Sequence, residues 1–243
     1  MGGGFAGSHR AVRPVELRWS DGSDLRSAVP SQPDLTAGPL LWISRTDGPV
    51  TGLADLLGPE DMADAEPMSD LLARRRRLVG RAVLRTLLAA CLGGAPADVR
   101  LAREPCAHCG RPHGRPTVAG APLEFSVSRS GPWVLVAVAR TAVGVDLESK
   151  ASEERAAALA QRMHPAEAAY LSGLAGDRLR RAFTRTWVRK EAFLKALGTG
   201  LARDTRRDLV GAGPRPRSPQ AGWAVADVLA PRGWTAALAV SAG

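Results

Sequence analysis

The sequence predicts an α+β fold, because segments with helical apolar spacing and segments with strand-like spacing alternate along the chain. Apolar residues recur three and four positions apart over residues 69–91 and again over 177–197, which indicates two long helices. Several shorter apolar segments are bounded by Gly and Pro, as strands usually are. Hydrophobic residues make up 45% of the 243 positions, so the chain can bury a substantial core and is not of the disordered class.

The first half is predicted to hold one long helix between strands. Residues 1–38 are rich in Gly, Ser, Pro and Asp without periodicity, and we expect them to form a flexible N-terminal extension. The helix over 69–91 ends at Gly93-Gly94. The predicted elements, in order, are a strand over 40–44, the helix over 69–91, a loop over 102–122, and strands over 123–127 and 133–139.

The second half is predicted to hold helices between strands. Pro165 is suited to the first turn of a helix, where its missing N–H costs nothing. A turn at 231–233 separates the last two strands. The predicted elements, in order, are a strand over 143–148, helices over 165–174 and 177–197, and strands over 223–229 and 234–241.

Lysine is scarce in this chain, and its positions point to chemistry. Of 33 basic residues only three are lysine: Lys150, Lys190 and Lys195. Arginine stays protonated in proteins, whereas a lysine can shift its pKa and transfer a proton. Two lysines within six residues of an arginine-rich chain therefore suggest a role that arginine cannot fill.

The second long helix carries a polar face. Trp187, Glu191 and Lys195 are spaced four residues apart, so their side chains lie on one face of a helix. A solvated Glu–Lys pair on a surface helix is the alternative interpretation. The tryptophan one turn away and the scarcity of lysine favour a functional face.

Two acids close the predicted strand over 143–148. The period of two places Asp146 and Glu148 on the same face, where like charges repel unless a cation or a proton lies between them. Carboxylate ligands without nearby His or Cys favour a hard ion, most plausibly Mg²⁺. Glu191 would add a third carboxylate if the helix packs on this strand. Two solvated acids at the end of a strand are the open alternative.

The net charge of +9 indicates either a polyanionic partner or a solvated arginine-rich surface. The chain shows no recognisable nucleic-acid module, and aromatic residues, at 5%, are few for base stacking. No apolar run approaches the length of a membrane span, and the first twenty residues lack the core of a signal peptide, so we expect a cytoplasmic protein.

The segment Cys106-Ala-His-Cys109-Gly-Arg-Pro-His113 could form a zinc site. Its four possible ligands lie within eight positions, where tetrahedral closure is strained, and structural zinc usually draws its second ligand pair from a separate element. We favour an ordered loop that presents Arg115. Three cysteines do not make a disulfide framework, and no base or triad pattern marks one as a nucleophile.

Four ordered motifs resemble the 4′-phosphopantetheinyl transferase superfamily, and specifically its large, monomeric subfamily that serves polyketide and nonribosomal peptide synthetases. The strongest combines Gly-Val-Asp-Leu-Glu at 144–148 with Trp-x-x-Lys-Glu-Ala-x-x-Lys and Gly-x-Gly-Leu at 187–201. Gly-Arg-Pro at 114–116 is similar to the family's Gly-Lys-Pro. Phe-Ser-Val-Ser-Arg-Ser-Gly at 125–131 is similar to its Phe-Asn-x-Ser-His-Ser-Gly. A weaker similarity is the basic helix at 76–85. Together the motifs span about residues 40 to 240 in the family's order.

This resemblance implies a pseudo-dimer of two similar α/β subdomains with the active site at their interface. The subdomains would be residues 39–141, with contacts to coenzyme A, and residues 142–243, with the metal and catalytic residues. The implied reaction moves the phosphopantetheine arm of coenzyme A to a serine of an acidic acyl or peptidyl carrier protein and releases 3′,5′-ADP. The resemblance also implies a monomer that needs Mg²⁺.

The resemblance also implies a role for each motif residue. Asp146, Glu148 and Glu191 would hold Mg²⁺, and Glu191, or a water that it holds, would be the base. Lys195 would contact phosphate and could protonate the leaving oxygen. The residues expected to contact coenzyme A are Arg76, Arg115, Ser128, Arg129, Lys190 and Lys195. Because Lys190 lies about 100° round the helix from Glu191, a structural role is the alternative for this lysine.

The sequence departs from the family pattern in two respects. Arg115 and Arg129 stand where Lys and His are common; both substitutions keep or add charge, and arginine binds phosphate well. Residues 55–70 are acidic where relatives often carry lysines, so part of the phosphate contact is missing or is supplied by Arg74 and Arg75.

Two other functions remain open from the sequence. An arginine-rich, non-enzymatic module that binds nucleic acid or an acidic protein would need neither magnesium nor coenzyme A. A different magnesium-dependent phosphoryl transferase or hydrolase is disfavoured by the absence of a Gly-x-x-x-x-Gly-Lys-Ser/Thr loop.

Overall fold

The computed structural model confirms an α+β architecture and describes residues 11–48, 50–105, 110–111 and 114–242. The strands are β1 Val15–Leu17, β2 Leu40–Arg45, β3 Leu101–Arg103, β4 Pro116–Val118, β5 Glu124–Ser130, β6 Trp133–Ala139, β7 Val143–Ser149, β8 Trp223–Val228 and β9 Trp234–Ser241. The helices are α1 Gly22–Ala28, α2 Pro59–Ala65, α3 Leu71–Leu92, α4 Glu153–Ala160, α5 Pro165–Ser172 and α6 Gly176–Leu197, and 3₁₀ turns lie at Ala54–Leu56, Pro96–Asp98 and Gly200–Ala202.

Two larger sheets organise the two halves. The first has the order β1-β2-β6-β5, in which β1 runs parallel to β2 and the other pairs are antiparallel. The second has the order β7-β9-β8 and is antiparallel throughout. Strands β3 and β4 form a separate pair. None of the helices in the described part of the chain has the length and apolar character needed to cross a membrane.

Each of the two long helices packs on one sheet through its apolar face. Helix α3 buries Val79, Val83 and Leu87 against Val134 and Val136 of β6. Helix α6 packs in the same way against β9, and the residues that they bury together include Val188, Ala192, Phe193, Ala237 and Ala239. Burying these aliphatic groups stabilises the fold by roughly 1.5–3 kcal/mol for each large side chain.

The two sheets face each other across a third apolar layer. Residues of β6 that alternate with the α3-facing positions, Leu135 and Ala137, contact Val145 and Leu147 of β7. This alternation is the period of two expected for strands buried on both faces. It leaves Gly144 and Asp146 of β7 facing α6.

Helix ends agree with the sequence signals. Asp70 caps α3 by accepting hydrogen bonds from the backbone N–H groups of Leu72 and Ala73. Both long helices end at a glycine in the left-handed region, Gly93 at φ 76° and Gly198 at φ 74°. The sequence missed α4, however, because its alanine-rich apolar pattern is weak.

The expectation of a flexible extension over 1–38 is wrong for residues 11–38. Strand β1 pairs with β2, and Val12 bridges to Val228 of β8, so this segment contacts both sheets. Leu17 and Leu25 are buried in the first core. Apolar residues separated by polar ones gave no periodic signal, although the few present suffice to anchor the segment. Residues 1–10 lie outside the described residues.

Candidate active site

The site begins with a close approach between α6 and β7 at Gly144. A Cβ built on Gly144 would lie 2.0 Å from the carbonyl oxygen of Ala192 and 2.5 Å from the backbone nitrogen of Ala196. Only glycine allows the two backbones to come this close. Because of this contact, the side chain of Lys195 on α6 can reach the carboxylate of Asp146 on β7.

Lys195 makes that connection. Its Nζ donates to Asp146 Oδ1 at 2.7 Å, to the carbonyl oxygen of Val145 at 3.2 Å and to Ser128 Oγ at 3.3 Å. Ser128 Oγ in turn donates to Asp146 Oδ1 at 2.9 Å and accepts from the N–H of Leu147 at 3.2 Å. Residues from β5, β7 and α6 therefore meet in one hydrogen-bonded group, a contact that the sequence did not predict although it named all three residues as candidates.

Ser128 belongs to a serine ladder that the sequence did not predict. The hydroxyls of Ser126, Ser128 and Ser130 accept hydrogen bonds from the N–H groups of Val145, Leu147 and Ser149 at 3.0, 3.2 and 3.3 Å. The free edge of β7 is thus satisfied by side chains of β5 rather than by a strand. The signal was the Ser-x-Ser-x-Ser spacing, which places all three hydroxyls on one face of β5.

The other two predicted carboxylates, Glu148 and Glu191, lie close enough to Asp146 for its negative charge to act on their ionisation. Burial raises the pKa of Glu191, and the negative charges of Asp146 and Glu148 raise it further. The pKa of Glu148 is raised by burial and by Asp146. Because each carboxylate disfavours ionisation of its neighbours, the group carries excess negative charge that a cation would relieve.

The carboxylate oxygens of Asp146, Glu148 and Glu191 are of the kind that binds a hard divalent cation, although the three side chains do not surround one metal position. Asp146 Oδ2 is buried and has no hydrogen-bond partner, which is the state of an oxygen with a free ligand position. Three carboxylates are the oxygen donors that Mg²⁺ prefers. Within residues 11–48, 50–105, 110–111 and 114–242, however, no three His, Cys, Asp or Glu side chains converge tightly enough to hold a metal.

A cavity of about 460 Å³ opens beside Lys195. Arg115 lies in its wall, where Nη2 donates to Glu104 Oε1 at 2.9 Å and to Glu124 Oε1 at 3.2 Å. Arg115 and Lys195 thus line the same cavity, and two glutamates already pair with Arg115. Burial raises the pKa of Glu124 despite the nearby arginine. The residues that line the cavity include Arg103, Arg115, Phe125, Ser126, Lys195 and Gly200.

Arg129 points to the opposite face of β5, toward α3. A Cβ on Gly80 would lie 2.9 Å from Arg129 Nε, so the guanidinium packs on the helix at this glycine. Although the residue as a whole is exposed, loss of hydration and the charges of Arg81 and Arg77 lower the pKa of its guanidinium to about 10. Arg129 thus joins a positive cluster on α3 rather than the Lys195 group.

Arg76 lies on the same helix, and its Nε is buried without a hydrogen-bond partner, as is that of Arg77. Acidic residues of α2 neutralise part of this surface: Asp64 pairs with Arg77 at 2.6 Å, and Asp61 Oδ1 forms an ion pair with Arg81 Nε at 3.3 Å. The acidic departure noted at residues 55–70 therefore supplies local partners for the α3 arginines.

Of the two roles expected for Lys190, its surroundings favour the structural one. Its side chain is 2% exposed, and its Nζ pairs with the equally buried Glu167 at 2.7 Å and donates to the carbonyl oxygen of Asp208. Glu167 also accepts from the N–H groups of Val210 and Gly211. Burial lowers the pKa of Lys190. A lysine enclosed in this way anchors the 208–211 segment and cannot reach a ligand in the cavity.

Arg155 of α4 is a neighbour that the sequence analysis missed. Its guanidinium lies over the ring of Trp187 at 5.6 Å from the centroid, and its positive charge offsets a small part of the rise that burial causes in the pKa values of Glu148 and Glu191. Trp187 also stacks on Phe183 at 6.0 Å. The possible zinc ligands Cys106, His108, Cys109 and His113 lie outside the described residues.

Comparison with known proteins bears on the same residues. A model of the 4′-phosphopantetheinyl transferase superfamily matches residues 142–221. The slr0495 protein of Synechocystis sp. is 32% identical over 170 residues, and a 4′-phosphopantetheinyl transferase of Bacillus subtilis is 29% identical over 129 residues. The 4′-phosphopantetheinyl transferase HetI of Nostoc sp. is 34% identical over 168 residues, which cover 67% of this chain and 70% of HetI. The chain belongs to the 4′-phosphopantetheinyl transferase superfamily.

Membership of this superfamily makes the chain an enzyme of the phosphopantetheinyl transferase class. The segment that matches the superfamily model contains the Asp146, Glu148, Glu191 and Lys195 group, whereas Ser128 and the arginines of the first half lie outside it. The matched segments span 66% of the Synechocystis protein, 70% of HetI and 54% of the Bacillus subtilis enzyme.

Proposed function

We propose that this transferase moves the 4′-phosphopantetheine arm of coenzyme A to a serine hydroxyl of an apo acyl or peptidyl carrier protein and releases 3′,5′-ADP. The observation that carries the proposal is the Lys195–Asp146–Ser128 group with two further carboxylates, beside a cavity that also holds Arg115. In this reaction the serine oxygen forms a new bond to the phosphorus that bears the arm, and the pyrophosphate bond of coenzyme A breaks.

The chain's own residues account for the proton transfers. Glu191 is suited to accept the serine proton, because a carboxylate with a raised pKa is a better base than an ordinary one. Lys195 carries transferable protons and lies in the wall of the cavity, so it can protonate the leaving phosphate oxygen. An arginine at 195 would provide charge without a transferable proton.

Asp146, Glu148 and Glu191 are the residues that would hold Mg²⁺. When bound, the ion would neutralise the pyrophosphate and polarise the phosphorus under attack. Arg115 and Lys195 would contact phosphate in the 460 Å³ cavity, and Ser128 would fix the Asp146 carboxylate through its 2.9 Å hydrogen bond. Arg76 and Arg129 would meet the more distant, negatively charged end of coenzyme A.

We also propose that the two halves form a pseudo-dimer with the active site between them. Each half holds a 22-residue helix that packs on an antiparallel pair of strands, which supports this arrangement. The serine ladder from β5 to β7 crosses the boundary between 39–141 and 142–243 next to Asp146. The monomeric state and cytoplasmic location expected from the sequence stay predictions.

The test is intact-protein mass spectrometry of a panel of apo carrier proteins incubated with this chain and coenzyme A, with Mg²⁺ or with EDTA. A magnesium-dependent gain of one phosphopantetheine arm supports the proposal. The same gain in Ser→Ala carriers that lack the acceptor hydroxyl would contradict it. No gain on any carrier, with the chain folded and coenzyme A bound, would also contradict it and favour a binding module without this activity.

A further inference from the structure

A second cavity lies on the far side of the 3₁₀ turn at Gly200–Ala202. It has a volume of about 420 Å³ and is called here the Trp187 groove. Its lining residues are Leu159 and Arg162 of the α4 end, Trp187 of α6, and Leu201, Arg203, Asp204, Thr205 and Arg206 of the segment after α6.

The Trp187 groove adjoins the candidate active site along one helix face. Trp187, Glu191 and Lys195 succeed one another at intervals of four residues on α6, so the groove and the 460 Å³ cavity lie at opposite ends of this row. Eight residues of helix separate the ends by about 12 Å. A reactant held in the groove therefore approaches Glu191 from the side opposite to the cavity.

The outer wall of the groove is held in place by polar contacts. Arg203 makes a bidentate ion pair with Asp208 at 2.7 and 2.9 Å, and Thr205 Oγ1 donates to the carbonyl oxygen of Arg162. The buried Lys190 fixes the same segment through the carbonyl oxygen of Asp208. The groove is thus formed before any partner arrives, so little ordering is required on binding.

The surface of the groove combines apolar groups with the unpaired positive charges of two arginines, and it also carries one exposed carboxylate, Asp204. Leu201 is 60% exposed, which is unusual for a leucine fixed on an ordered turn, and it faces the same groove as Trp187. Arg162 and Arg206 are exposed, and in the described part of the chain no carboxylate lies within ion-pair distance of either. Such a surface fits a protein that presents an apolar side chain flanked by acidic residues.

We propose that the Trp187 groove docks the acidic carrier protein, with an apolar side chain of the carrier between Trp187 and Leu201 and its carboxylates on Arg162 and Arg206. The inference rests on the proposed function, because the carrier is the second substrate of that reaction. Docking at this end of the row would deliver the acceptor serine to Glu191, while coenzyme A occupies the cavity at the Lys195 end.

The test measures docking without catalysis. Binding of apo carrier protein to the full chain is followed by fluorescence anisotropy in EDTA with coenzyme A present, and transfer is measured separately with Mg²⁺. The variant is Arg162→Glu/Arg206→Glu. The control is Arg178→Glu/Arg232→Glu, which makes the same change in net charge at two exposed arginines outside the groove. Thermal melting establishes that both variants are folded.

The expected result is that the Arg162→Glu/Arg206→Glu variant binds carrier at least about tenfold more weakly, with an equal rise in KM for carrier. Its affinity for coenzyme A and its kcat should match those of the unaltered chain, and the control should change less than about twofold. Replacing acidic residues of the carrier by lysine should restore binding to the variant and weaken binding to the unaltered chain.

Equal carrier binding by the variant and the control would overturn the proposal. So would a dimer of the unaltered chain that the double variant dissociates in sedimentation, since a second copy would then occupy the groove. If carrier binds through the groove in EDTA but no arm is transferred with Mg²⁺, docking is supported and the proposed reaction fails. The two claims are therefore tested separately.

Discussion

The substitution Gly144→Ala tests the contact on which the candidate site depends. The added methyl would lie 2.0 Å from the carbonyl oxygen of Ala192, and such contacts are essentially never closer than 3.0 Å, so α6 and β7 must separate by about 1 Å. Both elements are buried and packed on β9, and strain of this kind costs about 3 kcal/mol of the free energy of unfolding. A displacement of this size at reacting groups lowers a rate by about 100-fold.

The assay has two parts. Urea unfolding followed by tryptophan fluorescence gives the free energy of unfolding, and initial rates of transfer are measured where the variant is folded. Gly213→Ala is the matched control, because a Cβ at Gly213 meets no atom within 4 Å and the residue is not in the left-handed region. It should be neutral or slightly stabilising. A Gly144→Ala chain that loses less than about 1 kcal/mol and keeps its transfer rate would refute the reasoning.

Three further results are expected. Lys190→Met should reduce the free energy of unfolding by about 3–5 kcal/mol by leaving Glu167 buried and unpaired, yet coenzyme A affinity of the folded variant should not change. Ser128→Ala should cost about 1–3 kcal/mol, because the N–H of Leu147 loses its acceptor. The raised pKa of Glu191 means that the folded chain binds its proton more tightly than the unfolded chain, so metal-free stability falls as pH rises through that pKa. Mg²⁺ should therefore raise the Tm more at about pH 7.5 than at about pH 5, and Glu191→Gln should diminish this difference.

Each expectation can fail on its own measurement. If calorimetry shows that folded Lys190→Met binds coenzyme A more weakly than the unaltered chain, Lys190 belongs to the coenzyme A binding site. Unchanged urea unfolding of Ser128→Ala would show that the serine ladder contributes nothing. An equal Mg²⁺ effect on the Tm of the unaltered chain at both pH values would place the metal away from the three carboxylates. So would a pH difference in this effect that Glu191→Gln leaves unchanged.

The sequence predicted the long helices and the active-site motif because their signals are local. Helical spacing and left-handed glycines set the limits of α6, and the four-residue interval predicted that Glu191 and Lys195 share a face. The link from Lys195 to Asp146 depends on how closely α6 approaches β7, and only the structure shows that Gly144 permits it. Gly144 itself was visible in the sequence, but its neighbours across the contact were not.

Other features depend on partners distant in sequence. The helical spacing separates Lys190 from the Glu191 face without deciding its role, which a buried carboxylate 23 residues earlier, Glu167, makes structural. Residues 11–38 resemble a flexible tail by composition, but a few apolar side chains find places in the first core and hold the segment. Arg155 carried no sequence signal, because a lone arginine on a short helix does not show that it lies over Trp187.

The central claim is that the Lys195–Asp146–Ser128 group and its two neighbouring carboxylates transfer the phosphopantetheine arm. The most direct test is a time course that counts holo-carrier by intact mass and 3′,5′-ADP by chromatography, for the unaltered chain and Glu191→Gln. We expect one 3′,5′-ADP to be released for each carrier modified, and no detectable product of either kind from the folded variant. Product from Glu191→Gln at the unaltered rate, or 3′,5′-ADP without modified carrier, would show that these residues do not carry out the transfer.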